Sequence, residues 1–269
     1  MINYNPEKIK SDILEKVLIR IDYEGVSEME PLIIKLKPVW FNYFGSYVKV
    51  SKNNYNINVT DDALQCKTIN IPDPEKQIIH RFTKCKVGNS NTYMDMNEKF
   101  AYIDIDARSN YCGALEYIQI VAKYVHELLK FDPFIKLTRI AIRKINKKDI
   151  DLEANPDTIM RMPMSTVYDN GNNVTLKSNY SNILLLRDVD SIVNVTRSVA
   201  MLRKNNGVLA RQVILDMDIY KQGENQIGIG NNSSINDIVS VFRDKLNKPL
   251  FLLFVSTFKD DFIQTFYKP

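Results

Sequence analysis

The stretch from Phe100 to Asn146 constrains the fold more than any other part of the chain, because its hydrophobic period changes twice within fifty residues. In Lys99–Ala107, Ala101, Ile103, Ile105 and Ala107 fall on one face and Tyr102, Asp104, Asp106 and Arg108 on the other. This is the period-2 pattern of a strand with one buried side. From Gly113 to Phe131 the apolar residues Ala114, Leu115, Ile118, Val121, Ala122, Val125, Leu128 and Leu129 recur at helical spacing. Pro133 ends that helix, and Lys136–Asn146 returns to alternation. The result is a strand, a helix and a strand, so a mixed sheet-and-helix fold is required.

The residues before this unit extend the pattern. Val17, Ile19, Ile21 and Tyr23 alternate with Leu18, Arg20 and Asp22 as a strand. Ser27 and Glu30 have the spacing of a capping box, with Pro31 in the first turn. The helix that follows carries Leu32, Ile33, Leu36, Val39, Trp40, Tyr43 and Phe44, and Pro38 must kink or divide it. Strands are expected at Tyr47–Val50, with Tyr55–Val59 as a continuation, at Gln77–Val87 and at Asn91–Met96. Turns at Pro72-Asp73-Pro74, Gly88-Asn89 and Asn97-Glu98 separate them. The order of the first half is then β-α-β-β-(ββ)-α-β, a ferredoxin-like βαββαβ arrangement with an extra hairpin.

After a polar connector from Lys147 to about Lys177, an antiparallel meander is expected at Ile183–Arg187, Ser191–Leu202 and Val208–Tyr220, with an Asn206-Gly207 hairpin turn. A C-terminal helix begins with a cap at Ser234–Asp237, and Pro249 should break or kink it before Leu250–Phe258. The fold class is therefore α+β. The domain reading is a split-βαβ half at 1–148, a connector at 149–178, and a meander-plus-helix half at 179–269, or all three as one continuous domain.

Composition narrows the function classes. The chain has 36 basic and 32 acidic residues, a net charge of +4, well short of the strongly basic balance of many nucleic-acid binders. The longest apolar run, Leu250–Val255, is far below the roughly 20 residues that cross a bilayer, so no membrane association is expected. Met1–Lys10 is polar and lacks the order of a secretory signal, and the three cysteines, Cys66, Cys85 and Cys112, form no CxxC. A cytoplasmic location with reduced thiols is the expectation. The abundance of Asn, Ile and Lys fits an AT-rich bacterial genome.

Three segments resemble a known family. Arg139-Ile140-Ala141-Ile142-Arg143-Lys144-Ile145-Asn146 is similar to the strand R-I-G-L-R-Y-I-N of a sporadically distributed family of bacterial proteins with no established activity. Ile214-Leu215-Asp216-Met217-Asp218-Ile219-Tyr220 resembles its later strand I-L-D-I-D-V-Y, and the segment from Leu246 through Phe254 to Phe262 resembles its closing helix and tail. Ala141, Lys144 and Asn247 depart from the Gly, Tyr and His of that pattern. The resemblance implies architecture and a bacterial origin, and its patchy distribution implies a mobile-element or phage-defence setting.

Three groups of residues are candidate sites. Asp104/Asp106 and Asp216/Asp218 are D-x-D pairs, each placing two carboxylates on one strand face about 7 Å apart along the strand, a spacing that suits a shared divalent cation. On adjacent strands such carboxylates would suit a metal-dependent nucleotide or nucleic-acid enzyme of the palm type. The bland reading is the solvent face of an antiparallel sheet. Arg139 and Arg143 share a face with only Ala141 between them, and could grip a phosphate backbone or pair with the aspartates on neighbouring strands; pairing is expected. The third group, Phe251, Phe254 and Phe258, belongs to an apolar segment expected to pack back on the sheet and to meet a protein partner or a second copy. With only His80 and His126 available, each read as a structural or surface residue, a His-rich metal site is excluded. No cofactor is expected. The sequence points to a non-enzymatic binding or regulatory accessory protein acting through protein–protein contacts.

Overall fold

A computed structural model describes residues 13–52, 77–152, 154–161, 178–187, 191–203 and 207–265. The elements run β1 (Leu14–Glu24), α1 (Met29–Trp40), β2 (Phe44–Lys52), β3 (Gln77–Cys85), β4 (Tyr93–Met96), β5 (Phe100–Asp106), α2 (Ala114–Phe131), β6 (Lys136–Asp151), β7 (Ser178–Arg187), β8 (Ser191–Arg203), β9 (Leu209–Gln222), α3 (Glu224–Ile227), α4 (Ile235–Ser240), a π-helical turn (Val241–Asn247), α5 (Lys248–Thr257) and α6 (Asp260–Gln264). The protein is α+β, with one nine-strand sheet in the order β2-β3-β4-β5-β1-β6-β9-β8-β7 and a helical C-terminal region. Every neighbouring pair is antiparallel.

Alternation dictates which side of the sheet is covered. Val17, Ile19 and Ile21 of β1, Ile103 and Ile105 of β5, Ile140 and Ile142 of β6, and Leu215, Met217 and Ile219 of β9 are buried in one core with Leu32, Leu36 and Trp40 of α1 and Ile118, Val121 and Val125 of α2. The intervening positions of β1, β8 and β9 are only partly buried. The described helices therefore cover one face of the sheet, and among the described residues the other face is left open. Gly25, at φ +91°, lets the chain turn from β1 toward α1, and a Cβ there would lie 2.5 Å from the Phe134 carbonyl oxygen.

Most expected elements are present, with instructive departures. The cap of α1 is Glu28, whose side chain makes no capping bond, so the Ser27/Glu30 box does not form. Pro38 stays inside α1, which ends two residues later at Trp40. Leu115, expected in the apolar stripe of α2, is partly exposed, and the buried stripe instead takes in Tyr117, Ile120 and Tyr124. β6 runs to Asp151, beyond the expected connector start at Lys147, because β9 continues to pair with it as far as Ala210. The Ser234/Asp237 capping box does form. The helix does not stop at Pro249: a π turn precedes it, with the Lys248 N–H bonded to the Arg243 carbonyl. The wider turn relieves the clash between the proline ring and the carbonyl four residues back. Tyr55–Val59, Pro72-Asp73-Pro74, Cys66, Asn206 and residues 162–177 lie outside the described residues.

Candidate functional site

Burial decides the role of the candidate aromatic anchors. Phe251, Phe254 and Phe258 are 8%, 6% and 2% exposed. They join the chain's own core, with Phe254, Phe258 and Phe262 in successive ring contact at 5.1 Å. The apolar area of the C-terminal segment is thus largely consumed internally, with Leu252 the large apolar residue left exposed among those described. The expectation that the segment packs back on the fold is met, and all three phenylalanines face the chain's own core.

The open face of the sheet gathers the other candidates. Strand alternation aims Arg20 and Asp22 of β1, Arg139 and Arg143 of β6, and Asp216 and Asp218 of β9 to this side, and the β1-β6-β9 order makes them neighbours. The Arg143 guanidinium grips Asp216 with two bonds, Nε to Oδ1 at 2.8 Å and Nη2 to Oδ2 at 2.5 Å. Arg139 donates Nη2–H to Asp218 at 3.2 Å and lies 3.8 Å from Asp22. Arg20 donates to Asp22 at 2.8 Å. Both arginines of the β6 pair are therefore engaged by carboxylates on neighbouring strands, as their register requires. The bond to Asp216 raises the Arg143 pKa above its ordinary value. Burial pushes Asp218 up, opposed by Arg139 and Arg143.

Rings lie beneath two of these cations. The Arg20 guanidinium sits 5.0 Å from the centre of the Phe100 ring, and that of Arg139 sits 4.5 Å from Tyr220. Arg139 Nε is buried and has no acceptor among the described residues, even with two acids nearby. Beside this row, a cleft of about 560 Å³ is lined by Arg20, Asp22, Glu24, Lys99, Phe100 and Thr138. A second, of about 610 Å³, shares Glu24 and Thr138 with it and adds Lys136, Gln222 and Glu224.

The second acidic pair lies elsewhere on the sheet. Asp104 accepts from Lys16 at 2.8 Å and from the Tyr93 hydroxyl at 2.9 Å. Asp106 is held by a two-bond contact with Arg108 that lowers its pKa to about 2. The aspartates of β5 and β9 stand on strands separated by β1 and β6, about 14 Å apart at the usual strand spacing. They are not on adjacent strands, and one cation cannot bridge the two pairs. Among the described residues no group of three or more metal-ligating side chains exists.

Asp95 is the acid that sequence reasoning missed. Its carboxylate is fully buried, takes two bonds from Arg81 at 2.6 and 2.7 Å, and accepts the Tyr102 hydroxyl at 2.8 Å. The available signal was an aspartate between two methionines in a strand, Met94-Asp95-Met96. Lys144 was visible, since alternation puts it with Ile140 and Ile142 on the covered face. It lies between Val17 and Met217, half-buried, and burial lowers its pKa to about 8. Both histidines are bonded: His80 to the Tyr47 hydroxyl at 2.8 Å, His126 to the Ser233 carbonyl at 3.1 Å. Among the described residues no helix is long and apolar enough to cross a membrane. No protein-family model, curated protein or solved structure matches this chain.

Proposed function

We propose that the protein is a non-enzymatic binding protein whose contact surface for a protein partner is the open face of the sheet around Arg139 and Arg143. One observation carries this reading. Lys16, Arg20, Arg81, Arg139 and Arg143 each pair with a carboxylate on the sheet itself. A face with its cations neutralised gains little from counterion release on a polyanion. Held arginines over aromatic rings, mixed with acids and tyrosines, instead suit a polar protein–protein interface. The partner surface thereby moves from the C-terminal segment to the sheet.

The setting we infer, an accessory component of a mobile-element or phage-defence cassette in the bacterial cytoplasm, rests on the family resemblance of the β6 and β9 sequences. We also infer a ferredoxin-like βαββαβ origin for the first six strands, with β3 and β4 as the inserted hairpin. Its support is that β1 and β2, joined through α1, run parallel with β3, β4 and β5 between them, and β5 and β6, joined through α2, run parallel on either side of β1.

Exchanging Arg143→Asp with Asp216→Arg keeps the ion pair and rearranges the surface charge. Purified from its native host, the exchanged protein should lose a stoichiometric partner that the wild type retains, with unchanged thermal unfolding. Fluorescence anisotropy with single- and double-stranded DNA and RNA should show no saturable binding. Steeply salt-dependent nucleic-acid binding that the exchange abolishes would replace this reading with the phosphate-backbone one.

A further inference from the structure

Helix α1 carries an apolar stripe on both of its sides. The inner one, Met29, Leu32, Ile33, Leu36 and Trp40, is buried. On the opposite side Pro31, Ile34, Pro38 and Phe41 are all exposed, Ile34 at 68% and Phe41 at 45%. Their spacing of three, four and three residues sets them in one line along the helix, because Phe41 at the C-cap keeps helical backbone angles. Single exposed apolar side chains are ordinary on a protein surface, whereas a line of them on the solvent side of a helix marks an interaction site. Pro38 adds to the anomaly. It lies inside the helix, where it has no N–H to give the Ile34 carbonyl and costs helix stability.

Charge of both signs borders the line. In heptad terms Pro31 and Pro38 stand at a, Ile34 and Phe41 at d, Glu30 at g and Lys35 at the following e. Parallel helices that meet along a and d bring each g residue beside the next e residue of the other helix. Glu30 of one copy would thus stand beside Lys35 of a second, and Lys35 beside Glu30. Within one chain Glu30 pairs with Lys49, and Lys35 with Glu127 at 3.2 Å. Both pairs are solvent-exposed, so they are weak and exchange partners at little cost.

We propose that the outer stripe of α1 is a self-association surface, on which a second copy of this chain docks with the two α1 helices side by side and parallel about a two-fold axis. A two-fold contact has to be self-complementary. Here Pro31, Ile34, Pro38 and Phe41 each meet their own counterpart, and the Glu30–Lys35 attraction is made twice. A helix of this length spans ~18 Å, too little to cover the ~800 Å² per partner of a standard stable interface. The dimer is therefore weak and forms in the micromolar range or above. Because α1 lies on the covered side of the sheet, the two open faces point away from each other. A partner with two matching sites would then be held by both.

The test is sedimentation velocity of the full chain from about 5 to 500 µM, a range chosen to bracket a weak dimer. The average mass should climb from monomer toward dimer across it. Ile34→Glu places a charge on the seam at a solvent-exposed position, and should hold the chain monomeric throughout with an unchanged unfolding midpoint. Lys35→Glu sets two acids side by side and should weaken the dimer about tenfold. Adding Glu30→Lys to it restores opposite charges across the axis and should recover the affinity. The proposal is overturned by a chain that stays monomeric over the whole range, by a dimer that survives Ile34→Glu, or by a Lys35→Glu defect that the double reversal leaves in place.

Discussion

Individual ion pairs on this sheet have very different energetic weight, and burial decides which matter. Arg143 is 48% exposed, so its bond to Asp216 is screened and exchanged for water at little cost. Arg143→Ala should lower stability by less than about 1 kcal/mol in urea titration. Asp95 is fully buried, and removing its carboxylate strands the Arg81 guanidinium and the Tyr102 hydroxyl. Asp95→Ala should therefore cost about 3 kcal/mol by the same measurement. Lys144 works in the opposite sense. Its folded pKa of about 8 lies below the ordinary lysine value near 10.4, so between these pH values the unfolded chain binds more protons and stability climbs as pH rises. Below about pH 8 the ammonium is present in both states and the penalty is constant. Lys144→Met should stabilise the protein by about 1–2 kcal/mol at pH 7, and chemical denaturation across pH 7–10 should show that advantage shrinking.

At the level of elements, the two serine caps make a controlled comparison. Ser234 and Asp237 exchange bonds with each other's backbone, whereas Ser27 lies one residue outside the true cap of α1. Ser234→Ala should cost about 1 kcal/mol and Ser27→Ala almost nothing, read as shifts in the unfolding midpoint. The same contrast explains what could be seen in advance. Alternation and helical stripes located every described strand and both long helices, because burial on one face writes itself into residue order. The pairing of Arg139 and Arg143 with aspartates was legible too, since opposed strands make it a matter of register. The partners of Asp95 were not, because they depend on β3, β4 and β5 lying side by side. Nor was the fate of Phe251, Phe254 and Phe258, since an apolar segment reads the same whether its own fold or another protein covers it.

For the whole molecule, the C-terminal helices are part of the core. Deleting residues from Pro249 onward would remove Leu250, Phe254, Phe258 and Ile263, each buried, and burial of such side chains is worth on the order of 1.5–3 kcal/mol apiece. The truncated chain should lack a cooperative unfolding transition in calorimetry and aggregate, with or without any partner. The strand order carries a further consequence. β1 lies inside the sheet, and Ile19 faces Ile103 on one side and Ile142 on the other. On a ribosome, β1 and α1 emerge long before either strand that must flank them exists, and both edges of β1 wait unpaired. Such non-local pairing slows folding and exposes strands meanwhile. Recovery of native protein during synthesis should therefore depend on elongation rate and on holdase chaperones far more than its equilibrium stability would suggest.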